Sequence, residues 1–359
     1  MKKYILDTIQ NNDYTASSKA RKDIISITKK IGFEKKLIHV GKYKKLIVKE
    51  VYSINKQLKI ILNELEDNSI LLVQYPWQTM SYKLSKVIKK TANKKNITTI
   101  VLIHDMNSIR TSNLLTRMYY RFTVKETMFL NNFDFIISHN QSMTTYLMEN
   151  KIDENKIINI NIFDYLLDEN SCRENTICDR SEYRTVNIAG NLSRKKTQYI
   201  YELSKLNIKN YIINLYGPFY DGNSSKRINY RGKFSPEKLV MVLNNGFGLV
   251  WDGKTLNGCS GNFGRYLKFN NPHKLSLYIA CGLPVFVWKD AAVAQFVEKN
   301  NIGYVIESLF DIDKILENIT FDDYKILKEN VKRIQNDVVN GKCTIYALEK
   351  ALWRLVENE

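Results

Sequence analysis

Two stretches of the sequence combine glycine, amide and basic side chains in an order that suits phosphate binding. In the first, NIAGNLSRKK, an apolar run leads through Gly190 and Asn191 to Arg194. Backbone N–H groups at the start of a helix attract anions, and an arginine can add a bidentate contact to a diphosphate. A glycine turn between a strand and a helix, with Arg194 solvated, is the alternative interpretation.

The second stretch is the segment NNPHK. Pro272 suits the first position of a helix that Asn270 or Asn271 could cap, and His273 and Lys274 would then lie in the first turn. A cation is unfavourable at this positive end of the helix dipole unless a bound phosphate neutralises both. The alternative is an ordinary exposed lysine in a lysine-rich chain.

The elements that must position these residues alternate along the chain. Helical patterns separate near-continuous β-branched runs, which are typical of parallel strands covered on both faces. This alternation predicts an α/β protein with two Rossmann-like, doubly wound parallel sheets, whose ligands bind in a cleft at the carboxyl ends of the strands. The predicted strands span residues 3–7, 36–40, 69–76, 97–105, 133–140, 158–165, 185–192, 211–217, 247–253, 283–288 and 302–308.

A polar, acid-rich segment without apolar periodicity, at 167–184, indicates a linker. We therefore expect an N-terminal domain at 1–168, a linker at 169–184 and a second domain at 185–335. The helical segment 336–359 could pack back on the N-terminal domain.

Composition and charge limit the class of protein. The 359 residues contain no apolar run long enough to span a membrane, no signal-peptide pattern and five cysteines without metal-binding spacing, which favours the cytoplasm. The formal net charge is +17, and residues 1–100 hold 21 lysines and arginines against 8 acids. Such a surface attracts nucleic acid, anionic lipid or phosphorylated substrates, whereas scattered lysines that only improve solubility are the alternative.

Six segments together resemble the bacterial β-1,6-galactofuranosyltransferases of O-antigen and capsule assembly. More distantly, they resemble the glucosyltransferases that extend glycans on serine-rich adhesins. The segments are ISHN, IFDYL, AGNLSRKK, GLVWDG, CSGNFGRYLKFNNPHKLSLY and LPVFVW. The resemblance implies a GT-B fold, in which the C-terminal domain binds the nucleotide sugar and the N-terminal domain binds the acceptor.

The resemblance also implies site residues. Arg194 and the segment around Lys274 match diphosphate-binding positions, and QYPWQT occupies the place of the acceptor-binding loop, where its rings could stack on a sugar or pack in the core. The implied donor-binding residues are Thr15, Gly190, Asn191, Arg194, Tyr230, Asp252, Asn270, His273, Lys274, Leu275 and Ser276. The implied acceptor-binding residues are Gln74, Tyr75, Pro76 and Trp77.

A β-linked product from an α-linked UDP-galactofuranose requires inversion, and therefore a base for the acceptor hydroxyl. We expect Asp105 to be this base, with His104 as its orienting neighbour or its replacement. Alternatively, Asp105 caps the next helix or pairs with Arg110. Asp252 is a rival that we assign to sugar hydroxyls, and His139 is interpreted as structural or acceptor-side.

Neither a cofactor nor a metal is expected. Asp311 and Asp313 form a DxD pattern, but they open a helical segment, where acids serve as caps. In this interpretation Arg194, Lys274 and the helix dipole replace a cation. Cys259 has no identifiable base nearby and is not expected to act as a nucleophile.

The segment 110–130 places Leu114, Leu115, Met118, Tyr119 and Phe122 at helical spacing among basic residues. This pattern is typical of a helix on an anionic membrane surface, where lipid-linked saccharide acceptors occur, and equally of a helix buried against a sheet. The first interpretation places the protein on the inner face of the plasma membrane. A homo-oligomer is left open.

The sequence therefore predicts a transferase that uses UDP-galactofuranose or a related UDP-hexose and a saccharide acceptor. A glucosyl- or other hexosyltransferase and a nucleotide-sugar epimerase are alternatives with the same fold. A non-catalytic basic protein that binds nucleic acid is an alternative of another class, but no nucleic-acid-binding module is recognisable.

Overall fold

A computed structural model describes residues 1–9, 16–41, 47–77, 82–111, 114–120, 125–168 and 183–357, and the chain divides into two compact units. Unit 1 comprises Met1–Ile160 and Cys343–Glu359, and unit 2 comprises Asn161–Lys342. Most of the predicted linker, residues 169–182, lies outside the described residues.

Unit 1 contains a six-stranded parallel sheet. Its strands are β1 (Lys3–Ile9), β2 (Phe33–His39), β3 (Ile70–Tyr75), β4 (Thr98–Ile103), β5 (Phe135–Ser138) and β6 (Ile157–Asn159). They are hydrogen-bonded in the order β2-β1-β3-β4-β5-β6. All residues of β3 and β5 are buried, as the uninterrupted apolar runs predict for strands covered on both faces.

The helices of the first 160 residues follow the strands in chain order. They are α1 (Ala16–Lys30), α2 (Ile47–Glu64), α3 (Tyr82–Lys95), α4 (Asn107–Arg110), α5 (Leu114–Met118), α6 (Glu126–Leu130) and α7 (Gln141–Glu149).

Unit 2 repeats the architecture. Its strands are β7 (Thr185–Ala189), β8 (Ile212–Tyr216), β9 (Ile228–Gly232), β10 (Phe247–Val250), β11 (Val285–Trp288) and β12 (Gly303–Ile306), in the parallel order β12-β11-β10-β7-β8-β9. Its helices are α8 (Arg194–Thr197), α9 (Pro236–Val242), α10 (Gly261–Tyr266), α11 (His273–Ala280), α12 (Ala294–Lys299), α13 (Asp311–Asn318) and α14 (Phe321–Val339). The last helix of the chain is α15 (Lys342–Glu357).

Helix α11 is fixed against the sheet of unit 2 through one tyrosine. The hydroxyl of Tyr278 accepts a hydrogen bond from the N–H of Ala189 at 2.9 Å, and its ring fills the space beside Gly248. A Cβ atom added to Gly248 would lie 2.1 Å from that ring, so glycine is required for this close approach. The packing holds the first turn of α11 beside the ends of β7 and β10.

Two local predictions differ from the structure. The apolar spacing of residues 197–206 predicts an α-helix, but the segment forms a 3₁₀ helix at Gln198–Lys205, directly after the single α-turn of α8. The α-helix ends because Thr197, with φ −128°, forms a bridge with Gly253 and donates its hydroxyl to the carbonyls of Asn191 and Ser193. Strand β9 was not predicted, because its INYRG sequence is short and polar.

Candidate functional site

The topology of unit 2 defines where a ligand is expected. The chain winds outward from β7 in one direction to β8 and β9 and in the other to β10, β11 and β12, so the order reverses between β7 and β10. In open α/β sheets, ligands bind at the carboxyl ends of the strands at such a reversal. Gly190 follows β7, and Trp251 and Asp252 follow β10.

The loop after β7 makes a tight turn. Gly190, with φ +127°, donates its N–H to the carbonyl of Tyr216 at 3.0 Å, and the side chain of Asn191 accepts the N–H of Ser193 at 2.9 Å. Gly217 lies so close that a Cβ atom there would be 1.8 Å from the oxygen of Gly190. Because α8 is only one turn long, the helix dipole expected after this loop is weak, and basic side chains must supply most of the positive charge.

Lys274 lies in the first turn of α11, as predicted, and forms a buried ion pair. Its Nζ donates to Asp252 Oδ1 at 2.8 Å and to the Trp251 carbonyl at 2.9 Å, and the two side chains are only 10% and 9% exposed. Lys196 Nζ lies 4.0 Å from Asp252 Oδ2. The interpretation of Lys274 as an ordinary exposed lysine is therefore wrong: Asp252 compensates its charge in this structure.

Arg194 lies on the surface near a group of aromatic rings. Its side chain is 60% exposed, its Nε is 3.2 Å from Asp221 Oδ2, and its guanidinium lies 3.9 Å from the ring centroid of Tyr201. Tyr201 stacks on Tyr220 at 5.5 Å, and Tyr220 contacts Tyr230 at 5.1 Å between centroids. These three rings form a surface on which a flat nucleotide base could stack.

The capping residues predicted for α11 are wrong by one or two positions. Pro272 itself occupies the N-cap position, where it makes no side-chain hydrogen bond, and His273 opens the helix. Asn271 precedes the N-cap, and its amide nitrogen donates to the Asn161 carbonyl at 3.0 Å. The side-chain oxygen of Asn270 is buried and accepts no hydrogen bond from the described residues.

The other predicted donor-binding residues differ in what they can offer. The His273 ring stacks on Phe163 at 5.2 Å. Leu275 and Ser276 are buried, and the N–H of Leu275 already donates to the Pro272 carbonyl at 2.9 Å. Thr15 lies outside the described residues.

In unit 1 the sheet reverses between β1 and β3, and the predicted acid–base residues follow the neighbouring strand β4. His104 Nε2 lies 2.7 Å from Gln74 Oε1. The carboxylate of Asp105 accepts a hydrogen bond from Arg110, so the predicted alternative pairing is observed. Asp105 does not cap α4, whose N-cap is Met106.

The predicted acceptor-binding segment is anchored in the core of unit 1. Gln74, Tyr75 and Trp77 are buried, and the Tyr75 ring packs on Phe129 at 5.2 Å between centroids. Of the two alternatives for these rings, packing in the core is therefore the one observed. Pro76 is partly exposed.

Three residues that the sequence analysis missed hold this edge together. Arg21 donates both to the buried carboxylate of Asp7 and to the carbonyl of Pro76. Glu126 accepts the Tyr75 hydroxyl. Asp7 could have been found as a carboxylate inside an apolar strand, whereas nothing in the sequence near Glu126 indicates its role.

Two other candidates are unsuited to catalysis. Burial raises the pKa of the Cys259 thiol well above its usual value, which disfavours the nucleophilic thiolate. Burial lowers the pKa of His139 to about 4, and its Nε2 lies 3.0 Å from the carbonyl of Ile103. His139 is therefore neutral and structural at pH 7.

The DxD pattern is bonded to the backbone. Asp311 accepts the N–H groups of Glu307 and Ser308, and Asp313 accepts those of Lys209 and Asn210. Neither is the N-cap of α13, so the capping interpretation is wrong in detail; both carboxylates instead bind N–H groups outside that helix. Across the described parts of the chain, no three His, Cys, Asp or Glu residues are arranged to hold a metal ion.

The amphipathic segment 110–130 is exposed at residues 114, 115, 118 and 119, whereas Glu126, Phe129 and Leu130 at its end are buried. Leu114 and Leu115 are 66% and 76% exposed, and Met118 and Tyr119 are also exposed. This excludes a helix buried against the sheet for these four residues, while Phe122 lies outside the described residues. Within the described ranges, no helix has the length and apolar composition needed to cross a membrane.

Comparison with known proteins supports this architecture. The chain is 32% identical over 358 residues to β-1,6-galactofuranosyltransferase WbbI of Escherichia coli (strain K12), covering 97% of this chain and 98% of that protein. Sucrose-phosphate synthase of Thermosynechococcus elongatus aligns with a TM-score of 0.64 at 12% identity, covering 100% of both chains. An α-glucosyltransferase solved in complex with UDP aligns with a TM-score of 0.58 at 12% identity, covering 98% of this chain and 100% of that one.

These similarities confirm a GT-B-like fold with two Rossmann-like, doubly wound units. Two family models also match: the N-terminal domain of the glucosyltransferase 3-like family over residues 2–162 and its C-terminal domain over residues 186–351. The chain therefore belongs to the bacterial glycosyltransferase family that includes the β-1,6-galactofuranosyltransferase WbbI and the glucosyltransferase 3-like proteins.

Proposed function

We propose that this glycosyltransferase transfers galactofuranose from UDP-galactofuranose to a hydroxyl of a saccharide acceptor, by inverting displacement and without a metal ion. The observation that carries the donor assignment is the similarity to a β-1,6-galactofuranosyltransferase along nearly the whole chain. Lys196 and Lys274 beside Asp252, together with Arg194 in the helix that follows the loop after β7, support a UDP-linked donor.

Unit 2 binds the donor in this proposal. The diphosphate lies at the ends of β7 and β10, where Arg194, Lys196 and Lys274 provide positive charge. The base stacks on the row of tyrosines that includes Tyr230, and Asp252 binds hydroxyls of the sugar. The UDP complex of the structurally similar α-glucosyltransferase is consistent with this nucleotide.

Unit 1 activates the acceptor. Because the oxygen of Gln74 can only accept, the hydrogen bond to His104 makes Nε2 the donor and leaves Nδ1 as the basic atom of the neutral ring. Nδ1 is buried, whereas the Asp105 side chain is 24% exposed, so Asp105 is better placed to meet an acceptor hydroxyl.

The reaction proceeds as a single displacement. The acceptor oxygen attacks the anomeric carbon of the sugar while Asp105 takes the hydroxyl proton. The bond from that carbon to the diphosphate oxygen breaks, and UDP leaves with the bonding electrons. Arg194 and Lys274 stabilise the negative charge that develops on the leaving diphosphate, which is the role a divalent cation has in metal-dependent enzymes.

A donor comparison tests the proposal. Saturation-transfer NMR with UDP-galactofuranose, UDP-galactose and UDP-glucose should show the strongest sugar-proton signals for UDP-galactofuranose, and transfer assays should give a β-linked product. A preference for UDP-glucose would instead identify a glucosyltransferase of the same family.

We also propose that the acceptor is lipid-linked and that the exposed face at Leu114, Leu115, Met118 and Tyr119 rests on an anionic membrane surface. Apolar side chains there can enter the headgroup region, while the excess of lysine and arginine in residues 1–100 attracts anionic lipid. In this proposal the protein works in the cytoplasm, at the inner face of the membrane.

A further inference from the structure

The buried carboxylate of Glu126 in unit 1 joins the end of β3 to the start of α4, the helix that follows the proposed base Asp105. Glu126, the first residue of α6, is only 2% exposed. Its Oε1 accepts the Tyr75 hydroxyl from the end of β3 and the N–H of Asn107 at 3.0 Å. Its Oε2 accepts the N–H of Ser108 at 2.7 Å.

These bonds satisfy groups at the start of α4, the helix that directly follows Asp105. Its N-cap, Met106, provides no side-chain acceptor, so Glu126 supplies from another helix the acceptor that a cap residue normally provides. The backbone adds a second connection, because the N–H of His104 donates to the Tyr75 carbonyl at 2.8 Å.

We propose that Glu126 is a positioning residue that holds the segment carrying His104 and Asp105 in the geometry needed for proton transfer. This inference rests on the proposed function, in which Asp105 is the base. Asp105 also pairs with Arg110 at the far end of α4, so the orientation of this short helix determines where the carboxylate lies. Loss of the Glu126 contacts would let the helix and Asp105 move together.

The burial of the Glu126 side chain suits a positioning role, which requires no contact with solvent. Burial raises the pKa of Glu126, while the hydrogen bonds from Ser108, Tyr75 and Asn107 oppose that shift. Glu126 has no access to substrate, so it acts through the segment that it holds.

The test is Glu126→Gln, which keeps the volume of the side chain. A glutamine can still accept the Tyr75 hydroxyl, but its NH₂ group must face one of the two backbone N–H donors, so one helix contact is lost. We expect kcat to fall about 100-fold, as expected for a reacting group displaced by roughly 1 Å, with the KM for the donor and the affinity for UDP unchanged.

Asp134→Asn is the matched control. Asp134 accepts the N–H and hydroxyl of Thr99 at the opposite end of β4, so its replacement weakens a carboxylate–backbone contact away from the site. We expect this variant to fold, with a small loss of stability and an unchanged kcat. Thermal unfolding of both variants separates loss of fold from loss of position.

A double-mutant cycle with Asp105→Asn separates this inference from the proposed function. If Glu126 acts through Asp105, the double variant is no slower than Asp105→Asn alone. The inference fails, and the base assignment stands, in either of two cases. In the first, the effects of the two substitutions on kcat multiply in the double variant; in the second, Glu126→Gln has a normal kcat while Asp105→Asn is slow. A normal rate in Asp105→Asn refutes the base assignment and, with it, this route of action.

Discussion

At the scale of single residues, the central feature is the buried pair between Asp252 and Lys274. A lysine at the positive end of a helix is unfavourable, and the structure gives it a carboxylate partner from the end of β10. A diphosphate arriving at this edge would provide a second anion for Lys274. In the unliganded protein Asp252 compensates the charge of Lys274 and keeps its ammonium group in place for the donor.

The first prediction concerns the stability of this pair. Lys274→Ala should lower the free energy of unfolding by about 3–5 kcal/mol, because it leaves the buried carboxylate of Asp252 without its main partner. The double variant Asp252→Asn/Lys274→Met removes both charges and should restore most of that loss. Urea denaturation measures both effects; equal stability of Lys274→Ala and the native protein would contradict the buried pair.

The second prediction concerns pH. The buried His139 has a pKa of about 4, whereas the unfolded imidazole has its ordinary value of 6.5. The unfolded state therefore binds the proton more readily, and the stability contributed by neutral His139 is complete above pH 6.5 and is lost as the pH falls toward 4, by about 3 kcal/mol.

Urea denaturation of the native protein and of His139→Gln between pH 4 and 7 tests this window. Between pH 7 and pH 4, the free energy of unfolding of the native protein should fall by about 3 kcal/mol relative to that of the variant. A pH-independent difference would show that His139 does not have a lowered pKa.

Single site residues could be predicted from their types, whereas contacts between distant residues could not. Gly190, Arg194 and Lys274 could be singled out because glycine, arginine and lysine have recognisable uses near phosphate. The partners of Lys274 and Glu126 could not, because Asp252 is 22 residues from Lys274 and Tyr75 is 51 residues from Glu126 along the chain. Only the parallel packing of the strands brings them together.

At the scale of elements, long apolar runs identified most strands, while polar or interrupted segments were harder to assign. The 3₁₀ segment after α8 has helical apolar periodicity, yet the bonds of Thr197 to the neighbouring loop end the α-helix. Strand β9 is an edge strand in which only Ile228 is buried, so it lacks the buried run by which central strands are recognised.

The third prediction belongs to helix α5. Leu114→Glu and Leu115→Glu should each reduce sedimentation with vesicles that contain anionic lipid, because each places a negative charge on the exposed apolar face. Turnover with a soluble acceptor should stay the same. Met241→Glu, at an exposed apolar position in α9 of unit 2, is the control; equal binding by all three variants would contradict a membrane role for this face.

At the scale of the whole molecule, two doubly wound sheets and a net charge of +17 favour an anionic ligand that binds at the carboxyl ends of the strands. The order of the strands was not predicted, because right-handed crossovers alone do not fix it, but two parallel sheets could be expected from the βαβ alternation. The donor sugar could not, because it depends on contacts of a few side chains at the edge of unit 2.

The fourth prediction concerns this charge. If the positive charge binds lipid and nucleotide sugar, a filter-binding assay at ~0.15 M salt should show no retention of duplex or single-stranded DNA. The reason is that exposed charges are strongly screened at that ionic strength. Tight retention would favour the nucleic-acid-binding alternative.

The most direct test of the central claim is calorimetric titration of UDP in the presence of a metal chelator. UDP lacks the transferred hexose, so Asp252→Asn/Lys274→Met reports on the diphosphate without losing a contact to that sugar. We predict that the native protein binds UDP in chelator and that both this double variant and Arg194→Ala bind about tenfold or more weakly. Unchanged affinity in both variants, or native binding only after a divalent cation is added, would contradict the account.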